Sequence, residues 1–376
     1  MTDWKEYKLG DIVNFGNGKV RPKANGNIPV YGGNGILGYA NEFNYTDKTI
    51  IIGRVGAYCG SVYFENKPIW VSDNALSAKP KENFNTKFLY YYLLNLKLNH
   101  HAEGSSHPLI TQTLLNSIDI FITDNIVEQS TISDILSSLD DKIDLLNRQN
   151  KTLEALVETL FRQWFIEEAD ESWEEVTLGD FIKVKHGYAF KGTYISSDPT
   201  NLILVTPGNF KIGGGFKFDK FKYYTNNEFP AEYVFQTGDL VVTMTDLSIH
   251  GDTLGYPALI PENSSNDSYL HNQRVGKIEF KKEIGKHFIY NLMKTIDYQW
   301  FVLSGASGTA IRHTSPTSIC SYTFKLPTKS LLADFENITV KLEDKIRNNH
   351  NQIRTLTQLR DTLLPKLMSG EVRVEG

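Results

Sequence analysis

Two long stretches of this chain repeat apolar residues in alternating steps of four and three. In the first stretch these positions run from Ile132 to Trp164, and Asn150 takes one of them. An average spacing of 3.5 residues forms a narrow apolar seam on one helix face, which is typical of a helix that packs against another helix. A buried amide in such a seam lowers stability but fixes the register and the partner when its hydrogen bonds are met. We therefore expect a coiled-coil helix whose partner also carries an amide.

The second stretch runs from Phe335 to Leu367 and repeats the same pattern, with Asn349 as its seam amide. The two stretches also align directly, because LDDKI at 139–143 matches LEDKI at 342–346. The residues between the two helices must leave the end of one and return to the start of the other, so the helices are expected to run antiparallel. In that register Asn150 lies opposite Asn349, and Trp164 lies opposite Phe335.

A second repeat lies ahead of each helix. Trp4 with LGD at 9–11 recurs as Trp173 with LGD at 178–180, so each helix follows a domain of the same kind. Asn125, with Glu128 three residues later, resembles a capping box that starts the first helix. The predicted organisation is a first domain (1–123), a first long spacer helix (124–168), a second domain (169–328), a second long spacer helix (329–370) and a C-terminal tail (371–376) that returns to the first domain.

Both domains consist of short apolar runs broken by glycine turns and followed by a helix. The predicted fold class is α+β, with two similar domains joined by a pair of long antiparallel coiled-coil helices in a pseudo-twofold internal repeat. The expected strands are 28–31, 49–52, 61–64 and 69–71 before a helix at 86–98, and 202–206, 239–243 and 275–280 before a helix at 286–295.

Composition and charge limit the function. The 376 residues are 40% hydrophobic, which is enough for two domains with real cores, and the net charge is −5 with a pI near 6.0. Proteins held to nucleic acid by bulk electrostatics are usually strongly basic, so any DNA binding here must be local or shared with a partner. Cys59 and Cys320 are each alone, which argues against a disulfide framework or a zinc site.

Sequence motifs for catalysis are missing. There is no HExxH, no GxSxG, no phosphate-binding GxxxxGK[ST], and no [DNS]PP[YF] motif of an amino-methyltransferase. The E-x-K at Glu279 has no preceding acidic ligand, and the nine histidines show no metal-ligand spacing. We therefore expect no catalytic residue and no metal site in this chain.

Several motifs together resemble the specificity subunits of Type I restriction-modification systems. They cover nearly the whole chain, and the helix motifs are the most specific. They are IPVYGGNGI at 28–36, VTPGN at 205–209, HNQR at 271–274, TLFRQWF at 159–165 and LRDTLLPKLMSGE at 359–371. One departure is visible, because LPT at 326–328 replaces the Pro-Pro-Leu and Glu-Gln entry that the family often has before a helix.

The resemblance implies a non-catalytic subunit. Each domain would be a target-recognition domain that reads one half of a bipartite sequence in double-stranded DNA. The paired helices would space the domains and dock two adenine methyltransferase subunits, with the restriction and translocase subunits joining through the complex. This chain would hold no cofactor, since S-adenosylmethionine belongs to the methyltransferase partner, and ATP and Mg to the restriction partner. A cytoplasmic location without membrane association is expected.

The chemistry of the side chains indicates candidate DNA-contact residues. Arg and Lys beside glycine-rich turns reach phosphates or guanine edges, and Asn pairs with adenine. The DNA-binding candidates are Lys19, Arg21, Lys23, Asn34 and Arg54 in the first domain, and Lys185, Lys191, Lys211, Arg274 and Arg312 in the second. The candidates for partner docking are Phe161, Trp164 and Phe165.

Two alternatives from other classes remain open at this point. One is a coiled-coil scaffold, unrelated to DNA, whose two domains bind protein or carbohydrate ligands. The other is a hydrolase with its site in one domain. Gel shifts with and without a methyltransferase would separate them from a DNA-recognition subunit.

Overall fold

A computed structural model describes residues 4–23, 25–104, 108–246, 248, 250–263, 267–308 and 311–374. The last two residues of the predicted tail lie outside these ranges. The chain divides into two compact units, and of the described residues the first holds 4–147 and 351–374 and the second holds 148–350. Among the described residues, no helix is both long enough and apolar enough to cross a membrane.

Both units contain many short strands. The first unit contains β1 (Trp4–Lys8), β2 (Val13–Asn17), β3 (Ile28–Gly32), β4 (Gly35–Ala40), β5 (Thr49–Gly53), β6 (Val62–Glu65), β7 (Trp70–Val71), β8 (Ala75–Pro80) and β9 (Asp119–Thr123). The second contains β10 (Glu175–Thr177), β11 (Ile182–His186), β12 (Ile195–Ser196), β13 (Leu202–Val205), β14 (Lys222–Tyr224), β15 (Leu240–Thr243), β16 (Thr245–Asp246), β17 (Pro257–Leu259), β18 (Ser268–His271), β19 (Val275–Phe280), β20 (Arg312–His313) and β21 (Thr323–Lys325).

The helices are of two kinds, short ones inside each unit and two long ones. They are α1 (Leu9–Ile12), α2 (Thr86–Asn95), α3 (Gln112–Ser117), α4 (Ile126–Arg162), α5 (Lys286–Leu292), α6 (Ile296–Ser304), α7 (Pro316–Cys320) and α8 (Lys329–Met368). A π-helical turn (Gln163–Glu167) follows α4. Asn125 caps the start of α4 by accepting from the Val127 and Glu128 amides, and Thr328 accepts from the Leu331 amide at the start of α8.

The sheet topology repeats between the units. The first unit has sheets in the orders β2-β8-β5-β6 and β4-β3-β7 with the pair β1-β9, and the second has β11-β19-β15-β17 and β12-β14-β13-β18 with the pairs β10-β21 and β16-β20. Among the described strands, β3 pairs with β7 in parallel in the first unit, and β13 pairs with β18 in parallel in the second. The predicted α+β class and the internal repeat are confirmed, and the second unit has in addition the edge strand β12 and the pair β16-β20.

The long helices pack antiparallel inside each unit. In the first unit Ile132 of α4 and Leu367 of α8 belong to the same buried core. Arg360 of α8 donates to Asp140 of α4 at 2.8 Å, and Asp140 also accepts from the Tyr91 hydroxyl at 2.7 Å. These contacts tie α2 to both long helices.

In the second unit the seam follows the register that the spacing requires. The side-chain amide of Asn349 donates to the side-chain oxygen of Asn150 at 2.8 Å, and both residues are buried. The rings of Trp164 and Phe335 lie 6.2 Å apart. The two seam amides therefore lie opposite each other.

The C-terminal segment completes the first unit. Arg373 donates to the buried Glu128 carboxylate at 3.2 Å, and its guanidinium lies 5.4 Å from the centre of the Trp4 ring. Trp4 and Thr123 also donate to Glu128. One carboxylate thus joins β1, β9, α4 and the end of the chain.

Candidate nucleic-acid interface

A cluster of tight turns lies where the parallel strands of the first unit end. After β7, the Ser72 amide donates to Tyr31 of β3 at 2.8 Å, and the Lys19 amide donates to Val71 at 3.0 Å. A side chain at Gly18 could not fit, because its Cβ would lie 1.8 Å from the Ser72 carbonyl oxygen. Backbone contact at glycine therefore holds the segment that carries Lys19 against the turn after β7.

The second unit repeats this arrangement. The Tyr188 amide donates to His271 at 2.8 Å, and a Cβ at Gly187 would lie 2.2 Å from the Asn272 carbonyl oxygen. Burial lowers the pKa of His271 to about 4, so the ring is neutral, and it contacts the Val275 carbonyl oxygen at 2.9 Å. The HNQR motif thus forms the turn that matches residues 71–74.

A second segment joins each turn. In the first unit the Arg54 amide donates to Asn74, and the Arg54 carbonyl accepts from Ile110 at 2.9 Å. In the second unit the Met244 amide donates to Arg274 and the Met244 carbonyl accepts from Thr314, each at 3.0 Å. The structure therefore brings Arg54 and Arg274 to corresponding loop clusters in the two units.

Arg312 lies on β20, where it pairs with Asp246 of β16. Burial opposes ionisation of Asp246, but hydrogen bonds from Thr253 and Ser248 lower the pKa of its carboxyl below the usual value. The Nε atoms of Arg54 and Arg312 are buried and have no hydrogen-bond partner among the described residues. Each guanidinium group therefore holds one unsatisfied donor in the interior of its unit.

Most of the other basic candidates are solvent-exposed, and within the described part of the chain no carboxylate forms an ion pair with them. The exposed candidates are Lys19, Arg21, Lys23, Lys191, Lys211 and Arg274. Asn34 is also exposed, in the two-residue turn between β3 and β4. These side chains are available for phosphates or base edges.

Lys185 and Lys211 have a different setting. The ammonium of Lys185 donates to Glu232 at 2.8 Å and lies 4.9 Å from the Tyr233 ring centre, and the hydrogen bond raises its pKa. Burial and the Lys211 charge together lower the pKa of His350 on α8. Lys185 therefore has a carboxylate partner already, whereas Lys211 is one of the exposed candidates.

The three docking candidates belong to an aromatic cluster inside the second unit. Phe161 is only 4% exposed, and its ring lies 5.6 Å from Phe288 and 5.8 Å from Phe335. Trp164 and Phe165 are partly buried against the same core. The structure contradicts a surface role for Phe161, because the side chain faces the core and a partner could not reach it without unfolding.

The structure contains two groups of residues that the sequence patterns did not predict. The first is the ionic cluster of His287 with Glu336 and Glu343, whose only signal was the seven-residue spacing of two acids on one helix face. The second is the set of exposed apolar residues on β4, since apolar residues in a strand are expected to face the core. Among the described residues, no group of His, Cys, Asp or Glu could hold a metal ion.

Comparison with known proteins supplies the family. The family model for the Type I restriction modification DNA specificity domain matches this chain twice, over residues 1–155 and 170–351. The chain is 24% identical to the Type I restriction enzyme MjaIX specificity subunit of Methanocaldococcus jannaschii, over 99% of this chain and 94% of that protein. It is 22% identical to the HindI specificity subunit of Haemophilus influenzae, over 99% and 100%.

A solved structure shares the fold. The crystal structure of the Type I restriction-modification system S subunit from M. genitalium superposes with a TM-score of 0.65 and 19% identity, over 97% of this chain and 96% of that one. Because the family model covers both units, the chain belongs to the family that carries the Type I restriction modification DNA specificity domain.

Proposed function

We propose that this chain is the DNA-recognition subunit of a Type I restriction-modification complex and that its two units read the two halves of a bipartite target. The repeated loop cluster carries the proposal. Each unit ends its parallel strand pair in tight turns held by backbone hydrogen bonds, and an arginine at least partly open to solvent lies in each loop cluster, Arg54 in the first unit and Arg274 in the second. Rigid loops with arginines suit base and phosphate contacts.

The charge distribution supports recognition within a complex. A net charge of −5 gives little general attraction for DNA, which favours proteins that neutralise many phosphates. Three exposed basic residues, Lys19, Arg21 and Lys23, follow one another on the segment that enters the loop cluster of the first unit. We infer that the partner subunits supply much of the positive charge and that this chain supplies the sequence preference.

The long helices are the proposed docking surface for two methyltransferase subunits. Because Phe161 is buried, we assign docking to exposed leucines of the helices instead. Leu145 and Leu359 in the first unit are 40% and 45% exposed, and Leu156 in the second is 44% exposed. Each unit contributes one antiparallel helix segment pair, which supports one methyltransferase per unit. Association with the complex is supported by the family membership, and the ratio of two is our proposal.

The chemistry then belongs to the partners. Specificity subunits are the non-catalytic components of these complexes, and we propose that this chain binds no cofactor of its own. S-adenosylmethionine would be held by the methyltransferase, and ATP with Mg²⁺ by the restriction subunit. A subunit that reads DNA works where the DNA is, so we propose a cytoplasmic location.

Reconstitution tests the proposal. The purified chain, its methyltransferase and a random-sequence duplex library would be mixed, and bound duplexes would be sequenced after several rounds of selection. We expect a bipartite motif only when both proteins are present, and native mass spectrometry should find two methyltransferases per chain. A chain that enriches no motif with its methyltransferase, or that turns over S-adenosylmethionine alone, would overturn the proposal.

A further inference from the structure

The hairpin of β3 and β4 in the first unit has an unusual outer surface. Its strands are joined by the turn Gly33–Asn34, and Gly35 has a φ of +77°, which favours glycine. The pairing register shifts between Val30 and Tyr31. A bulge of this kind disrupts the strict alternation of side chains along a strand. On β4 two consecutive residues consequently face solvent.

The exposed side chains on β4 are apolar. Ile36 is 46% exposed, Leu37 is 40% exposed and Tyr39 is 51% exposed. In the described part of the chain β4 pairs only with β3, so it is the edge of its sheet. The matching strand of the second unit, β14, is covered by the additional strand β12. An uncovered edge with apolar side chains normally marks a surface that another molecule covers.

The surroundings of this edge are basic. A side-chain nitrogen of Arg21 lies directly over Gly38 of β4, because a Cβ at Gly38 would be only 2.2 Å away from it. Lys19 and Lys23 lie on the same segment and are exposed, and no carboxylate pairs with these three among the described residues. A polyanion is therefore a better occupant of this surface than a second apolar protein surface.

The turn is also held rigidly. The hydroxyl of Tyr63 on β6 donates to the Gly33 carbonyl at 3.4 Å, and the Leu37 side chain packs over Gly32, where a Cβ would lie 2.4 Å from its Cδ1. A ribbon that is fixed before binding loses little conformational entropy when it enters a groove. The hairpin is therefore pre-organised for binding.

We infer that the β3–β4 hairpin enters the major groove of DNA and that Ile36 and Tyr39 contact the C5-methyl groups of thymines. The inference rests on the proposed function and names the reading element of the first unit. The major groove admits a two-stranded ribbon, and the thymine methyl is the apolar group that it presents. Arg21, Lys19 and Lys23 bind the flanking phosphates and hold the hairpin in register.

Uracil substitution tests the contact without changing the protein. The methylation motif of the reconstituted complex is mapped first, and each thymine is then replaced in turn by deoxyuridine, which lacks only the methyl group. Loss of one methyl contact should slow methylation at limiting enzyme by about fourfold, from about 0.8 kcal/mol per buried carbon. We expect at least one sensitive thymine, with the sensitive positions confined to one half-site.

Variants then assign the contact to the hairpin. In Ile36→Ser and Tyr39→Ser, at least one sensitive thymine should lose its sensitivity, while the other half-site is read as before. The matched control is Ile296→Ser, a change at an isoleucine that is 74% exposed in the second unit, and it should leave the uracil pattern unchanged. The inference would be overturned if deoxyuridine had no effect at any position. It would also be overturned if both hairpin variants kept the same set of sensitive thymines as the wild type. A wild-type complex that methylates no bipartite motif would instead refute the proposed function.

Discussion

The imidazole of His287 on α5 lies between two carboxylates of α8. Its Nδ1 is 2.7 Å from Glu336, its Nε2 contacts Glu343, and Glu336 also accepts from the Phe288 amide at 2.9 Å. The His287 side chain is 8% exposed, and the two glutamates are 22% and 25% exposed. This cluster joins α5 to α8 within the second unit. We predict that removing the histidine charge loosens that junction.

The magnitude follows from the pKa. Burial alone would lower the pKa of His287, but the two carboxylates raise it to about 9 from an ordinary value of 6.5. A difference of that size corresponds to about 3 kcal/mol of favourable interaction for the charged ring. His287→Gln keeps a polar side chain and removes the charge. We therefore expect the variant to lose about 2–3 kcal/mol at pH 7, because two carboxylates then face each other without a cation.

The pH dependence gives the prediction its sign. The folded pKa lies above the unfolded value, so the His287 contribution is complete below pH 6.5 and disappears as the pH rises through about 9. At acid pH, burial raises the pKa of Glu343, but the hydrogen bond and charge of His287 lower it by more. The stabilisation that Glu343 contributes is therefore lost as the pH falls through its folded pKa. The difference in stability between the wild type and His287→Gln should be largest below pH 6.5 while Glu343 is still ionised, should persist at pH 7 and should be small above about pH 9.5.

Hydrogen exchange followed by mass spectrometry measures this locally in the full chain. Peptides covering α5 and the first turns of α8 should exchange about 30 to 140 times faster in His287→Gln at pH 7, since about 1.4 kcal/mol corresponds to a tenfold change. Peptides of the first unit should be unaffected. The control His250→Gln changes an exposed histidine of the same unit and should leave exchange unchanged. Equal exchange in the wild type and His287→Gln at pH 7 would refute the reasoning.

Three further predictions concern the helices. Asn349→Leu leaves the buried Asn150 amide without its partner and should destabilise the second unit by about 1–3 kcal/mol in urea unfolding, whereas the double variant with Asn150→Leu should recover that loss; a double variant as unstable as the single one would contradict the seam register. Phe161→Ala empties a core position and should cost about 3–5 kcal/mol in the same assay, while an unfolding midpoint equal to that of the wild type would argue against its burial. Four residues inserted after both Gln149 and Asn349 should preserve the seam and add about 6 Å to each helix. The mapped gap between the half-sites should then lengthen by about one to two base pairs, at about 3.4 Å each. An unaltered gap would mean that the helices are not the spacer.

Regular spacing made much of the helix arrangement predictable. Asn150 and Asn349 meet because a seam of period 3.5 and an antiparallel connection leave few registers. The strands were also predictable, since glycine turns bound apolar runs such as β3 and β5. The additional strand β12 was not predictable, because its two residues pair with a segment far along the chain.

Side-chain surroundings were beyond the sequence pattern. Phe161 lies in the TLFRQWF motif at 159–165, but the sequence alone could not say whether the ring faces a partner or the core around Phe335. Lys185 looked like other surface lysines, although Glu232 pairs with it across 47 residues of chain. The exposure of Ile36 depends on a bulge that composition does not reveal. Such contacts depend on long-range packing, and periodicity carries no information about them.

Genome-wide mapping of N6-methyladenine shows directly whether this chain directs methylation to a bipartite DNA sequence. The chain would be expressed with its methyltransferase in a host that lacks its own adenine methylation, and the methylated positions would be read by single-molecule sequencing. We predict one bipartite motif, with two specific half-sites separated by a fixed run of unspecified bases, and no methylation when either protein is expressed alone. A continuous motif, methylation without this chain, or no methylation by the pair would contradict it.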